Sequence, residues 1–150
     1  MELLIFLLKG QAKIETRKRE KEMVKWDLVL ETKQQLEISN KNGDELTEAN
    51  LMMKLGNVYA YYSDFDLSDA MYRQSLAIAR EISDKELEAI ALINLGSSHK
   101  QKMKYEQAYS YFAKALKVSQ ELNDQNIKSV IKGHVTDLIK MMDMDRLSKE

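Results

Sequence analysis

The chain is predicted to be an all-α helical repeat, and three observations carry that prediction. The series Leu55, Gly56, Tyr59, Phe65, Ser68, Tyr72, Ser75, Leu76 recurs forty residues later as Leu95, Gly96, His99, Tyr105, Ala108, Phe112, Ala115, Leu116. Within each unit the core-type residues, such as Leu92, Leu95 and His99, or Ala108, Phe112 and Ala115, fall at three- and four-residue steps, the period of an amphipathic helix. Proline is absent, β-branched residues are sparse, and Asn42-Gly43-Asp44 lies between helical patterns rather than between alternating strands.

Residues 1–43 read as a degenerate N-terminal hairpin. Its first helix is expected over 2–19, where Gly10 only poorly matches the Leu-Gly motif. Its second is expected over 21–39, because Glu37-Ile38-Ser39-Asn40 echoes Glu81-Ile82-Ser83-Asp84, with four extra residues near Lys41 to Asp44. The first clear repeat covers 44–84, with helices near 44–62 and 67–82 on either side of Asp64-Phe65-Asp66. The second covers 85–124, with helices near 85–101 and 105–122. Ser83 and Glu86 have the spacing of a capping box, in which each side chain satisfies a free backbone N–H of the new helix. A capping helix follows at 125–142. There Thr136 falls on the glycine position and Lys132 on that of Met52 and Leu92, so the pattern is lost, as expected of a terminal repeat facing water. Residues 143–150 read as a tail. A glycine inside a helix costs about 1 kcal/mol relative to alanine, so Gly56 and Gly96 at one repeat position mark a place where helices approach closely.

At 150 residues and 44% hydrophobic content the chain has room for one domain with a substantial core. Twenty-three basic residues against twenty-four acidic ones provide no global field to attract nucleic acid or an anionic membrane. The run Leu3-Leu4-Ile5-Phe6-Leu7-Leu8 is far shorter than the ~20 residues that span a bilayer, and Glu2 before it and Lys9-Gly10-Gln11 after it do not fit a secretory signal. The absence of cysteine excludes disulfides and thiolate metal sites and fits a reducing compartment, so a cytoplasmic location is expected.

No chemistry-bearing constellation emerges. His99 takes the place of Tyr59 and is expected inside the helix pair. His134 stands on another helix without a ligand-spaced partner, so neither a metal nor another cofactor is expected. No Gly-rich phosphate loop or nucleophile with an oriented base is present, and the chain is read as not an enzyme. The basic stretch Arg17-Lys18-Arg19-Glu20-Lys21 spreads around its helix, which is the pattern of a solvated face. Tyr61, Tyr62, Tyr109 and Tyr111 fall outside core places and are candidate surface anchors.

Leu55-Gly56-x-x-Tyr59 and Ala108-x-x-x-Phe112-x-x-Ala115-Leu116 resemble the tetratricopeptide repeat over about 49–128. The forty-residue spacing, with Ala77 to Asp84 and Lys117 to Asp124, is similar to the longer repeats of kinesin light chain, spindle-orientation adaptors and bacterial Rap-type regulators. The usual proline is missing, and Met52 and Leu92 stand where the tryptophan would be. The resemblance implies a right-handed α-solenoid with a concave groove that holds a peptide or partner helix. On that basis the groove is expected to present Met53, Lys54, Asn57, Tyr61, Ile93, Asn94, Ser97 and Gln101, with Gly133, His134 and Asp137 on the closing helix. The expected function is a non-catalytic protein-interaction module. The alternatives are a structural protein that self-associates through its terminal helices, or a regulatory fragment of a larger sensor. Leu3 to Leu8 are the expected homodimer contact.

Overall fold

The computed structural model describes residues 2–147, apart from the side chains of 2–5 and 8. Among the described residues there are six α-helices and no strand: α1 Glu2–Asn42, α2 Glu45–Tyr61, α3 Phe65–Glu81, α4 Lys85–Gln101, α5 Tyr105–Leu122 and α6 Gln125–Leu147. Each helix packs on the next in the chain, and α4 also touches α6. This consecutive packing is consistent with a helical repeat.

The turns share one geometry. Gly43, Ser63, Ser83, Met103 and Asn123, spaced by twenty residues, all have φ between 53° and 68°. At each, the left-handed residue donates its N–H to the carbonyl three back and the next residue donates to the carbonyl five back, as Ser83 does to Arg80 and Asp84 to Ala79. This pair of bonds closes the helix by satisfying carbonyls that have no partner within it. The following residue then opens the next helix: the Asp44, Asp84 and Asp124 carboxylates accept from the Thr47, Leu87 and Ile127 N–H groups. Ser83 is therefore the left-handed terminator of α3, and Asp84, rather than Ser83, is the N-cap of α4. Asp64 makes no such cap because its carboxylate is held by Lys25, and Lys104 has no oxygen to offer.

The two repeat glycines seat aromatic rings. A β-carbon built on Gly96 would lie 2.6–2.9 Å from three ring carbons of Phe112, and one on Gly56 would collide with the Tyr72 ring in the same way. Phe112 is fully buried among Leu92, Leu95, Ala108, Ala115, Ile131 and Leu138. His99 is buried as expected, its Nδ1 donating to the Leu95 carbonyl at 3.0 Å. A smaller cluster of Val29, Leu55 and Tyr59 joins α1 to α2.

The expected N-terminal hairpin is not formed: α1 is one continuous helix of 41 residues. Lys21-Glu22-Met23-Val24-Lys25 holds good helix formers and has Met and Val where the later turns have Gly43-Asp44 or Ser83-Asp84, so nothing ends the helix there. The four extra residues also vanish. Thr32 and Ser39, fully or nearly buried, stand forty residues before Tyr72 and Ala79, and the turn at Gly43 stands forty before Ser83. Only the second half of α1 joins the bundle, through Lys25, Val29, Thr32 and Ser39, whereas every described side chain from Phe6 to Val24 is exposed. At the other end α6 continues to Leu147 through most of the expected tail.

Candidate protein-interaction surface

The residues expected to line a groove fall into two adjoining clefts. Lys54, Asn57 and Tyr61 of α2 form the first with Val24, Leu28, Val58 and Tyr62, enclosing about 410 Å³ between α1 and α2. Asn94, Ser97 and Gln101 of α4 form the second with Ala60, Phe65, Tyr72 and Ser98, about 380 Å³ across the ends of α2, α3 and α4. Asn94 links them, its Nδ2 donating to Asn57 Oδ1 at 3.5 Å and to Met53 Sδ at 3.0 Å. Asn57 Oδ1 also accepts from the Tyr72 hydroxyl at 2.8 Å. Burial pushes the Tyr72 phenol above its usual pKa.

Not every expected groove residue is presented. Met53 and Ile93 are buried in the core cluster, where Met53 Sδ also accepts from Asn94 Nδ2. His134 is apart from both clefts, half-buried and stacked on Phe112 with ring centroids 5.2 Å apart. Burial, with Lys100 nearby, lowers its pKa below the usual histidine value despite Asp137. Gly133 and Asp137 are exposed beside it. Among the tyrosines, Tyr61 is 79% exposed and Tyr109 56%. Tyr62 and Tyr111 are half-buried, with Lys25 over the first ring and Arg73 and Lys114 over the second.

Three ion-pair groups join the helices, and the repeat pattern did not indicate them. Lys25, 6% exposed, ties α1 to Asp64 in the turn after α2, which raises its pKa. Lys102 binds buried Asp69 at 2.7 Å and Asp66 at 3.0 Å. Desolvation opposes the Lys102 charge, but these two bonds prevail and raise its pKa. Glu88 accepts from Arg80 at 2.8 Å and Lys85 at 3.1 Å, and this pairing outweighs its desolvation to lower its pKa. The sequence placed Asp64 and Asp66 only at the break between the helices of the first repeat.

Among the described residues no group of three or more His, Cys, Asp or Glu side chains is placed to hold a metal ion. No described helix is long and apolar enough to cross a membrane. Compared with protein-family models and with curated proteins, the chain matches none.

Proposed function

We propose that this chain is a non-catalytic protein-interaction module, a tetratricopeptide-like right-handed solenoid whose α2, α4 and α6 helices line a concave groove for a peptide or partner helix. The observation that supports this most is the Asn57–Asn94 pair between two open clefts. Asn57 Nδ2 and Asn94 Oδ1 remain beside exposed Tyr61 and Gln101 and half-buried Ser97, and an amide donor with an amide acceptor can bind a peptide backbone whatever its side chains. The apolar first cleft accepts a side chain, and the second cleft, where Asn94, Ser97 and Gln101 meet Phe65 and Tyr72, accepts main chain.

Selection from a displayed random-peptide library tests the reading. Peptides enriched on the parent protein should lose binding to Ser97→Arg and Gln101→Arg, whose side chains line the second cleft without holding the core. Lys117→Ala, exposed on α5, should retain them. Losing one groove hydrogen bond should weaken capture by on the order of 1 kcal/mol, and a bulky arginine by more. Enrichment indifferent to both groove variants overturns the proposal.

A further inference from the structure

The first half of α1 is a helix without a bundle. At 1.5 Å per residue its 41 residues extend about 62 Å, against about 26 Å for a 17-residue helix such as α2. The projecting part carries Phe6, Leu7 and Ile14, all more than half exposed. Helices in proteins owe most of their stability to packing of an apolar face, yet Phe6, Leu7 and Ile14 are left exposed, and α1 first approaches the bundle at Arg17, Glu20 and Lys21, which border a cleft with Tyr61 and Tyr62.

The charge along α1 is divided. Residues 9–21 hold six bases and two acids, net +4, and residues 27–37 hold Asp27, Glu31 and Glu37 against Lys33, net −2. All of these side chains are exposed. A second α1 laid parallel would superpose like charges, whereas one laid antiparallel sets the basic half of each copy over the acidic half of the other, twice.

We infer that two copies of this chain pair antiparallel along α1 about a two-fold axis beside Met23, each covering the apolar cleft between α1 and α2 of the other. With that axis, residue i of one copy meets residue 45 − i of the other. Leu7 then packs on Ile38 of the second copy, itself 60% exposed. The aliphatic stems of Arg17 and Lys21 cover Leu28 and Val24 of the second copy, which line its apolar cleft. A two-fold contact of this kind uses the same patch on both copies and closes on itself. The pair covers the first cleft, which the groove reading gives to a peptide side chain, and leaves the second open; the inference itself rests on α1 and not on the groove reading.

The chain has no cysteine, so introduced thiols report geometry without background. In sedimentation the full chain should run as two copies at micromolar concentration. Mixing a Leu7→Cys population with an Ile38→Cys population under mild oxidation should give a cross-linked pair of unlike chains. Leu7→Glu with Ile14→Glu should give a monomer whose helical melting is retained, because neither residue touches the bundle. Raising the salt should weaken the pair, since the Debye length falls from about 10 Å at 0.1 M to about 3 Å at 1 M. A monomeric parent, or a dimer linked by Leu7→Cys alone but not in the mixture, overturns the inference. So does an intrachain link in a monomeric Leu7→Cys, Ile38→Cys double variant, which would show the arm folding back on its own bundle.

Discussion

Substituting the helical glycines one at a time separates close packing from helix propensity, because the two effects have opposite signs. Gly96→Ala gains about 1 kcal/mol in propensity. Its new methyl, however, falls 2.6–2.9 Å from the Phe112 ring, which is fully buried and has nowhere to retreat. Overpacking of this kind costs about 1 to 3 kcal/mol, so the net change should be neutral to destabilising by about 2 kcal/mol, and Gly96→Leu should be worse. Gly56→Ala should behave alike, since the Tyr72 ring it meets is anchored by its hydroxyl to Asn57. Gly133→Ala is the control. That glycine is also helical but has nothing within 4 Å of its β-carbon position, so alanine should stabilise by up to about 1 kcal/mol, or about 2 to 4 °C in Tm for a protein of this size. Thermal and urea unfolding followed by circular dichroism would measure all three. Adding Phe112→Leu should relieve Gly96→Ala, with a coupling of at least about 0.5 kcal/mol in the double-mutant cycle. If Gly96→Ala stabilises as much as Gly133→Ala and shows no coupling to Phe112, the close-packing argument is wrong.

Met103 is held at φ 58° with a full side chain, so Met103→Gly should stabilise by about 1 kcal/mol in urea unfolding, more than Asn123→Gly, whose parent residue tolerates that conformation. His134 has a folded pKa below its unfolded value, so the unfolded chain takes its proton first as pH falls. Stability should therefore drop from about pH 6.5 downward until the folded pKa is passed, and His134→Phe, which keeps the stack on Phe112, should remove that part of the acid dependence while matching the parent's slope at pH 8. Asp64→Ala strands Lys25, which is 6% exposed, and should cost about 2 kcal/mol. Lys25→Met frees the more exposed Asp64 carboxylate to cap α3 and should cost less than about 1 kcal/mol by the same denaturation assay, so the reverse order would refute the assigned roles.

Part of the candidate surface was anticipated from the resemblance to the tetratricopeptide repeat, which assigns groove positions on the first helix of each pair: Asn57, Asn94, Ser97 and Gln101 do lie at open clefts. Register says which residues are equivalent, but not which side a neighbouring helix covers. Met53 and Ile93 were thus expected in the groove and are in the core. The Ser83–Glu86 spacing matched a capping box, yet a turn repeated five times needs its left-handed residue one place before its cap, which assigns Ser83 to the first role and Asp84 to the second.

Local periodicity alone determined that this chain is helical, where α2 to α5 begin and end to within about two residues, and that Gly56 and Gly96 share one packing role. These properties depend on interactions within a helix or one turn away, so the order of residues carries them. The tertiary structure alone decided that Lys25 pairs with Asp64, 39 residues distant, that Asp69 is buried with Lys102, and that Tyr72 is tethered to Asn57. The unbroken α1 stands between these two kinds of property. Its residues show no stop signal at Met23, but that half the helix packs on α2 while the other half projects free depends on which side chains meet across space, and no periodicity within α1 encodes the partner that covers them.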